Sequence, residues 1–128
     1  MESGETSATI LLVDDDADVR RLARSLLTEE GFEVIEASNG AEALEVASAY
    51  SRPIDLLLTD MIMPRLNGLL LAERLLQERT GIRVLYMSGY VERSIMLARH
   101  PEAILLQKPF TRSALIAAAR QALAAKEP

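Results

Sequence analysis

The chain has 128 residues, about half of them apolar and a quarter charged, with a formal net charge of −5. That is one ordinary domain with enough apolar residues for a core. No cysteine is present and only one histidine, His100, which excludes a disulfide framework, a thiol nucleophile and a cysteine- or histidine-built metal centre. The acidic balance disfavours direct nucleic-acid binding, and the apolar runs are too short for membrane insertion. The chain reads as a soluble, cytoplasmic domain.

Residues 1–8 are small and polar and read as a flexible lead-in; a single domain is expected over 9–126. The first strand, Ile10-Leu11-Leu12-Val13, runs directly into Asp14-Asp15-Asp16. Val19, Leu22, Ala23, Leu26 and Leu27 then recur at helical spacing, with Arg20, Arg21, Arg24 and Glu29 assigned to the opposite face. Gly31 ends this helix. The alternating Phe32–Ala37 predicts an edge strand half open to water. Asn39-Gly40 turns the chain into a second helix, and Pro53 precedes the apolar third strand, 54–60, which ends on Asp60 and is stopped by Pro64. A third helix follows Asn67-Gly68. Strand four, Ile82–Met87, ends at Ser88-Gly89, and a short helix over 91–99 breaks at His100-Pro101. Strand five, Ile104–Gln107, runs into Lys108-Pro109, and Thr111 is placed to cap the last helix, 112–125.

Strand and helix alternate five times, which predicts a doubly wound α/β fold with a five-stranded parallel sheet and right-handed crossovers. Parallel strands bring their carboxyl ends to one edge, where open α/β sheets place their sites. Asp14, Asp15, Asp60, Ser88 and Lys108 would then share one crevice. Converging carboxylates repel unless something neutralises them. A divalent cation resolves the conflict, and Mg²⁺ suits an all-oxygen site with few carboxylates. Asp60 is then a candidate nucleophile toward a phosphoryl group, with Lys108 as the neutralising cation and Ser88 as a hydroxyl donor. Asp16 reads as a helix-capping acid, Asp55 as a strand-end surface charge, and the methionines as packing residues.

Four segments carry a family resemblance: Ile10–Asp16; Leu58-Thr59-Asp60-Met61-Ile62-Met63-Pro64 with Asn67-Gly68; Met87-Ser88-Gly89; and Lys108-Pro109-Phe110. Together, in order and each at a strand end, they resemble the receiver domain of two-component response regulators, of the chemotaxis-regulator type. The resemblance covers residues 9–125. It implies the flavodoxin-like strand order 2-1-3-4-5 with five helices, of which helix four is short in this chain. It implies Asp60 as phosphoacceptor, and Mg²⁺ held by Asp15, Asp60 and the main-chain carbonyl of Ile62, with Asp14 acting through water. Ser88 becomes the hydroxyl switch, Lys108 the phosphoryl-binding lysine, and the bond before Pro109 cis. The implied partners are a histidine kinase or histidine phosphotransfer protein and a downstream protein target, with weak homodimerisation open.

Two positions depart from the pattern. Leu105 stands where the family often has an aromatic coupled to the hydroxyl switch, leaving Tyr90 as a stand-in, and the stretch from Ser88 to Lys108 is short. Three functions compete on these residues. One is a phosphoacceptor receiver that is not otherwise an enzyme, either free-standing or a module of a hybrid histidine kinase. A second is an Mg²⁺-dependent aspartyl-nucleophile phosphatase, against which Ile62 stands where a second acid is wanted. The third is a pseudo-receiver that binds partners without phosphorylation.

Overall fold

A computed structural model describes residues 7–125. The elements are β1 (Thr9–Val13), α1 (Ala17–Glu29), β2 (Glu33–Ala37), α2 (Gly40–Ala49), β3 (Leu56–Asp60), α3 (Gly68–Glu78), β4 (Arg83–Ser88), α4 (Tyr90–Arg99), β5 (Leu105–Gln107) and α5 (Arg112–Ala124). The five strands form one parallel sheet in the order β2-β1-β3-β4-β5. This is the expected doubly wound fold. Most of the lead-in expected over 1–8 lies outside the described residues. Helix α4 is ten residues long, the same length as α2. No helix among the described residues is long and apolar enough to cross a membrane.

The strands are short and apolar because both faces are covered. Along β1 and β3 every residue is buried. Ile10, Leu12, Leu56 and Leu58 face α1 and α5, packing with Ala23, Leu27, Leu115 and Ala119. Leu11, Val13 and Leu57 face the other way, against Ala43 and Ala47 of α2 and Leu71 and Leu75 of α3. The period-two alternation of a strand thus divides one apolar run between two cores. Each fully buried leucine or isoleucine contributes roughly 1.5–3 kcal/mol. Strand β2 lies at the sheet edge and is only partly buried, as its alternation predicts.

Helix starts follow the sequence signals. Asp16 caps α1 by accepting from the Asp18 and Val19 amides, Asn39 caps α2, Asn67 caps α3, and Thr111 caps α5. After α1 the chain turns at Gly31, whose φ of 99° lies in the region that a Cβ disfavours. Asp55 precedes β3 and ties it to β1, with its carboxylate accepting the Thr9 amide at 2.8 Å. Its role is local to that strand start. Met61, Met63, Met87 and Met96 are all buried, as packing residues should be.

One long side chain closes the far end of α2. The carbonyls at a helix C-terminus lack intrahelical partners. Arg79, just beyond α3, donates to the Ala47 carbonyl at 2.7 Å, to Tyr50, and to Arg52 at 3.0 Å. Replacing Arg79 with Met leaves those acceptors without their donor and should destabilise the fold by about 1–3 kcal/mol. Urea unfolding of the two proteins measures this. A loss well below that range would mean that water replaces the guanidinium at little cost.

The acidic crevice at the carboxyl edge of the sheet

Strands β1 and β3 are neighbours, but the connections leaving them run in opposite directions along the sheet. The crevice outside such a switch point is where open α/β sheets hold ligands. Asp14 follows β1 directly and Asp60 is the last residue of β3. Asp60 pairs in register with Met87, so the next residue, Ser88, ends β4 beside it. Gln107 of β5 pairs with Ser88 and is followed by Lys108. The sheet register alone therefore brings four of the predicted residues to one edge.

Asp14 is fully buried. Its Oδ1 accepts the Asp16 amide at 2.9 Å, and its Oδ2 lies 3.0 Å from Lys108 Nζ, an ion pair without hydrogen-bond alignment. The same ammonium donates to Asp60 Oδ2 at 3.2 Å. Asp60 Oδ1 accepts the Ile62 amide at 3.3 Å. Asp15 is exposed, yet one carboxylate oxygen from each of Asp14, Asp15 and Asp60 lies within 4.8 Å of the others. One lysine thus faces three acids. At an effective dielectric near 20, a pair of unit charges 4 Å apart interacts by about 4 kcal/mol. A single lysine cannot offset all three carboxylates. This all-oxygen group can hold a divalent cation.

The charges show the same imbalance. Burial raises the Asp60 carboxyl above its ordinary range; Lys108 lowers it, Asp14 raises it further, and the balance is upward. Burial alone would lower the Lys108 ammonium, but its contact and charge with Asp14, then with Asp60, outweigh burial and raise it. Lys108 therefore stays charged throughout the neutral range, and its stabilising contribution is lost only at strongly alkaline pH.

Backbone contacts hold the Asp60 turn tightly. Thr59 Oγ1 donates to the Asp60 carbonyl at 3.0 Å, and the Gly68 amide donates to the Met61 carbonyl at 3.1 Å. A Cβ on Gly68 would stand 2.4 Å from the Asp60 carbonyl oxygen. Only glycine allows α3 to start this close to the strand end. At β4 the Ser88 carbonyl accepts the Lys108 amide at 2.8 Å. The Ser88 hydroxyl is buried, with no hydrogen-bond partner among the described residues. Such an orphan group marks a place where a ligand's acceptor can fit. The Lys108–Pro109 peptide is cis, as expected.

The structure brings Asp14, Asp15, Asp60 and Lys108 together and sets Ser88 alongside. Ile62 stands two residues beyond Asp60 and is 61% exposed. Two residues escaped the sequence reading. Arg20, assigned there to the polar face of α1, instead turns back and donates to the Asp14 carbonyl at 2.7 Å. Tyr86 is the register partner of Leu105 and faces the α2–α3 side of the sheet, where burial pushes its phenol up to about 12. Tyr90, the expected aromatic stand-in, is 74% exposed. Tyr86 could have been found from the alternation of β4, being two residues before Ser88; Arg20 could have been found from helical spacing, standing three and seven residues before the buried Ala23 and Leu27.

The raised Asp60 carboxyl has a testable consequence. An acid whose folded pKa exceeds its unfolded value weakens the fold when ionised, and acidification through the folded pKa relieves that cost. Asp60→Asn should therefore raise the metal-free melting temperature at pH 7. Its advantage should shrink as pH falls toward about 4, the ordinary aspartate value. Melting curves in chelator across this range measure it; a variant less stable than wild type at pH 7 would contradict the electrostatics described above.

With this geometry in view, comparison with known proteins is direct. Residues 10–120 match the family model described as the response regulator receiver domain. The chain is 34% identical over 107 residues to the response regulator receiver protein CpdR of Brucella abortus, covering 79% of this chain and 84% of CpdR. It is 32% identical over 119 residues to the sensor kinase CckA of the same organism, covering 91% of this chain but only 13% of the kinase. Among solved structures, a response regulator receiver protein from Sinorhizobium medicae superposes with a TM-score of 0.81 at 34% identity, covering 96% of this chain and 98% of the other. The chain belongs to the response regulator receiver domain family of two-component signalling.

Proposed function

We propose that the chain is a phosphoacceptor receiver in which Asp60 takes a phosphoryl group from a phosphohistidine of a histidine kinase or histidine phosphotransfer protein. The observation that carries this reading is the crevice itself. A buried carboxylate at a strand end faces two further acids and one lysine, beside a buried serine hydroxyl that has no partner among the described residues. Similarity to a segment of a sensor kinase, to CpdR and to the sporulation initiation phosphotransferase F of Bacillus subtilis supports a place in phosphotransfer. It is equally compatible with a free-standing regulator and with a module of a hybrid kinase.

In the transfer step an oxygen of the Asp60 carboxylate attacks phosphorus. The new P–O bond forms as the P–N bond breaks, and the imidazole leaves with the electron pair and takes up a proton. Asp15, Asp60 and the main-chain carbonyl of Ile62 would hold Mg²⁺, with Asp14 behind them. When bound, the ion supplies charge neutralisation for the carboxylates and phosphoryl oxygens. Lys108, tethered to Asp60, offers its ammonium to a phosphoryl oxygen, and the Ser88 hydroxyl offers a hydrogen bond. A phosphoryl group adds roughly −1.5 to −2 charge and three acceptor oxygens. Ser88 and Lys108 moving toward it would shift the start of α4 and so alter contacts with a downstream protein.

Incubation with acetyl phosphate and Mg²⁺, followed by intact mass, tests this reading. One phosphoryl adduct that disappears in Asp60→Asn is expected. Rapid turnover of many equivalents would indicate a phosphatase, and no adduct would indicate a binding module that works without phosphorylation.

The adduct should also be long-lived. Water approaching in line must pass the side chains two residues beyond Asp60 and two beyond Ser88, which are Ile62 and Tyr90. Neither carries a carboxylate or amide to orient a water. Converting Ile62 to Asn and Tyr90 to Glu should speed phosphoryl loss in excess Mg²⁺ while leaving Mg²⁺ affinity nearly unchanged. Equal decay rates in wild type and the double variant would refute the idea.

A further inference from the structure

The main chain leaves β1 at Asp14, just past the end of the ladder that pairs Val13 with Thr59 of β3. On the other side the Asp14 amide still reaches the Ala37 carbonyl, at 3.3 Å. Beyond that point the sheet supplies no donor for the Asp14 carbonyl, yet the residue is fully buried. A buried carbonyl requires a donor. Arg20 supplies it, reaching back from the first turns of α1 with Nη1 at 2.7 Å.

The guanidinium is held from a second side as well. Its Nε lies 3.3 Å from Glu36 Oε1 on β2, and the other oxygen of Glu36 is 3.1 Å from Arg24 Nε. Arg20 and Arg24 are one helical turn apart and close on the same carboxylate. A planar guanidinium fixed at two edges behaves as a strut, which a single-point ammonium cannot reproduce. The strut joins α1 and β2 to the Asp14 carbonyl, just beyond β1.

The next residue in the chain is Asp15. Its carboxylate makes no hydrogen bond or ion pair with the described residues, yet it lies with those of Asp14 and Asp60 in the candidate cation site. No side-chain contact aims it there. Its direction comes from the main chain, and the Asp14–Asp15 peptide is the unit whose carbonyl Arg20 grips. We propose that Arg20 is a positioning residue for the cation site: by holding the Asp14 carbonyl it aims Asp15 toward Asp60 before a cation arrives. The proposal rests on the reading of Asp15 and Asp60 as cation ligands.

Position and charge predict opposite signs here. Arg20 is a positive group near a cation site. If it acted only as a charge, its removal would tighten Mg²⁺ binding. If it positions Asp15, removal must weaken binding, because the carboxylate loses its aim.

The test is an Mg²⁺ titration followed by amide chemical shifts, which reports the dissociation constant of the folded population. Arg20→Met should weaken Mg²⁺ about tenfold, the low end for partners that orient metal ligands. Arg20→Lys, which keeps the charge but cannot hold Asp14 and Glu36 together, should show a smaller loss in the same direction. Arg79→Met, destabilised far from the crevice, should bind Mg²⁺ as wild type does and so separates positioning from general loosening. Unchanged or tighter binding in Arg20→Met overturns the proposal alone. If that variant does not fold, wild-type affinity in Arg20→Lys overturns it. A wild type that shows no Mg²⁺ response, or keeps it in Asp60→Asn, fails the cation-site reading and takes the proposal with it.

Discussion

The ammonium of Lys108, 3.0 Å from Asp14 and 3.2 Å from Asp60, is the contact on which the crevice depends. Buried carboxylates at neighbouring strand ends repel, and without a cation at least one would take up a proton. Lys108 crosses from β5 to reach both, joining the ends of three strands. It offsets only part of the charge, since Asp15 lies with the two acids it pairs. The crevice thus presents an excess of negative oxygens around one ammonium. Such an all-oxygen group can hold a divalent cation.

The rest of the fold serves this arrangement. Parallel register fixes how far each strand end projects, and so sets Asp14, Asp60, Ser88 and Lys108 at one edge. Gly68 lets α3 begin against the Asp60 backbone. Arg20, Glu36 and Arg24 tie the Asp14 turn to α1 and β2. These contacts lie behind the carboxylates and make the crevice rigid on the β1 side. On the β4 side the Ser88 hydroxyl has no partner among the described residues, so a ligand's acceptor can take it up without breaking an existing bond.

Much of this was legible in the sequence because it depends on local signals. Short apolar runs ending on Asp14 and Asp60 announce buried parallel strands, and the acids at their ends have no packing role. Asn39, Asn67 and Thr111 announce helix starts through side chains that cap the next turn. The illegible part lies in long side chains that bridge elements. The charge of Arg20 assigns it to the polar face of α1, yet it stands three and seven residues before the buried Ala23 and Leu27 and is itself only partly exposed. Its guanidinium ends six side-chain bonds away on the Asp14 carbonyl, just beyond β1. Arg79 similarly reaches from the end of α3 to α2. No spacing rule encodes such partners, because they depend on how elements pack after each has formed. Tyr86 is an intermediate case. Its alternation was visible, but its pairing with Leu105 required the β4–β5 register.

A crystal structure with Mg²⁺ and beryllofluoride, a phosphoryl mimic, tests the central claim most directly. The account predicts the mimic on Asp60, the Ser88 hydroxyl and Lys108 ammonium donating to its fluorines, and the cation among Asp15, Asp60 and the Ile62 carbonyl. A mimic bound elsewhere, or a Ser88 hydroxyl still unpartnered with Lys108 unmoved from Asp14, would contradict it.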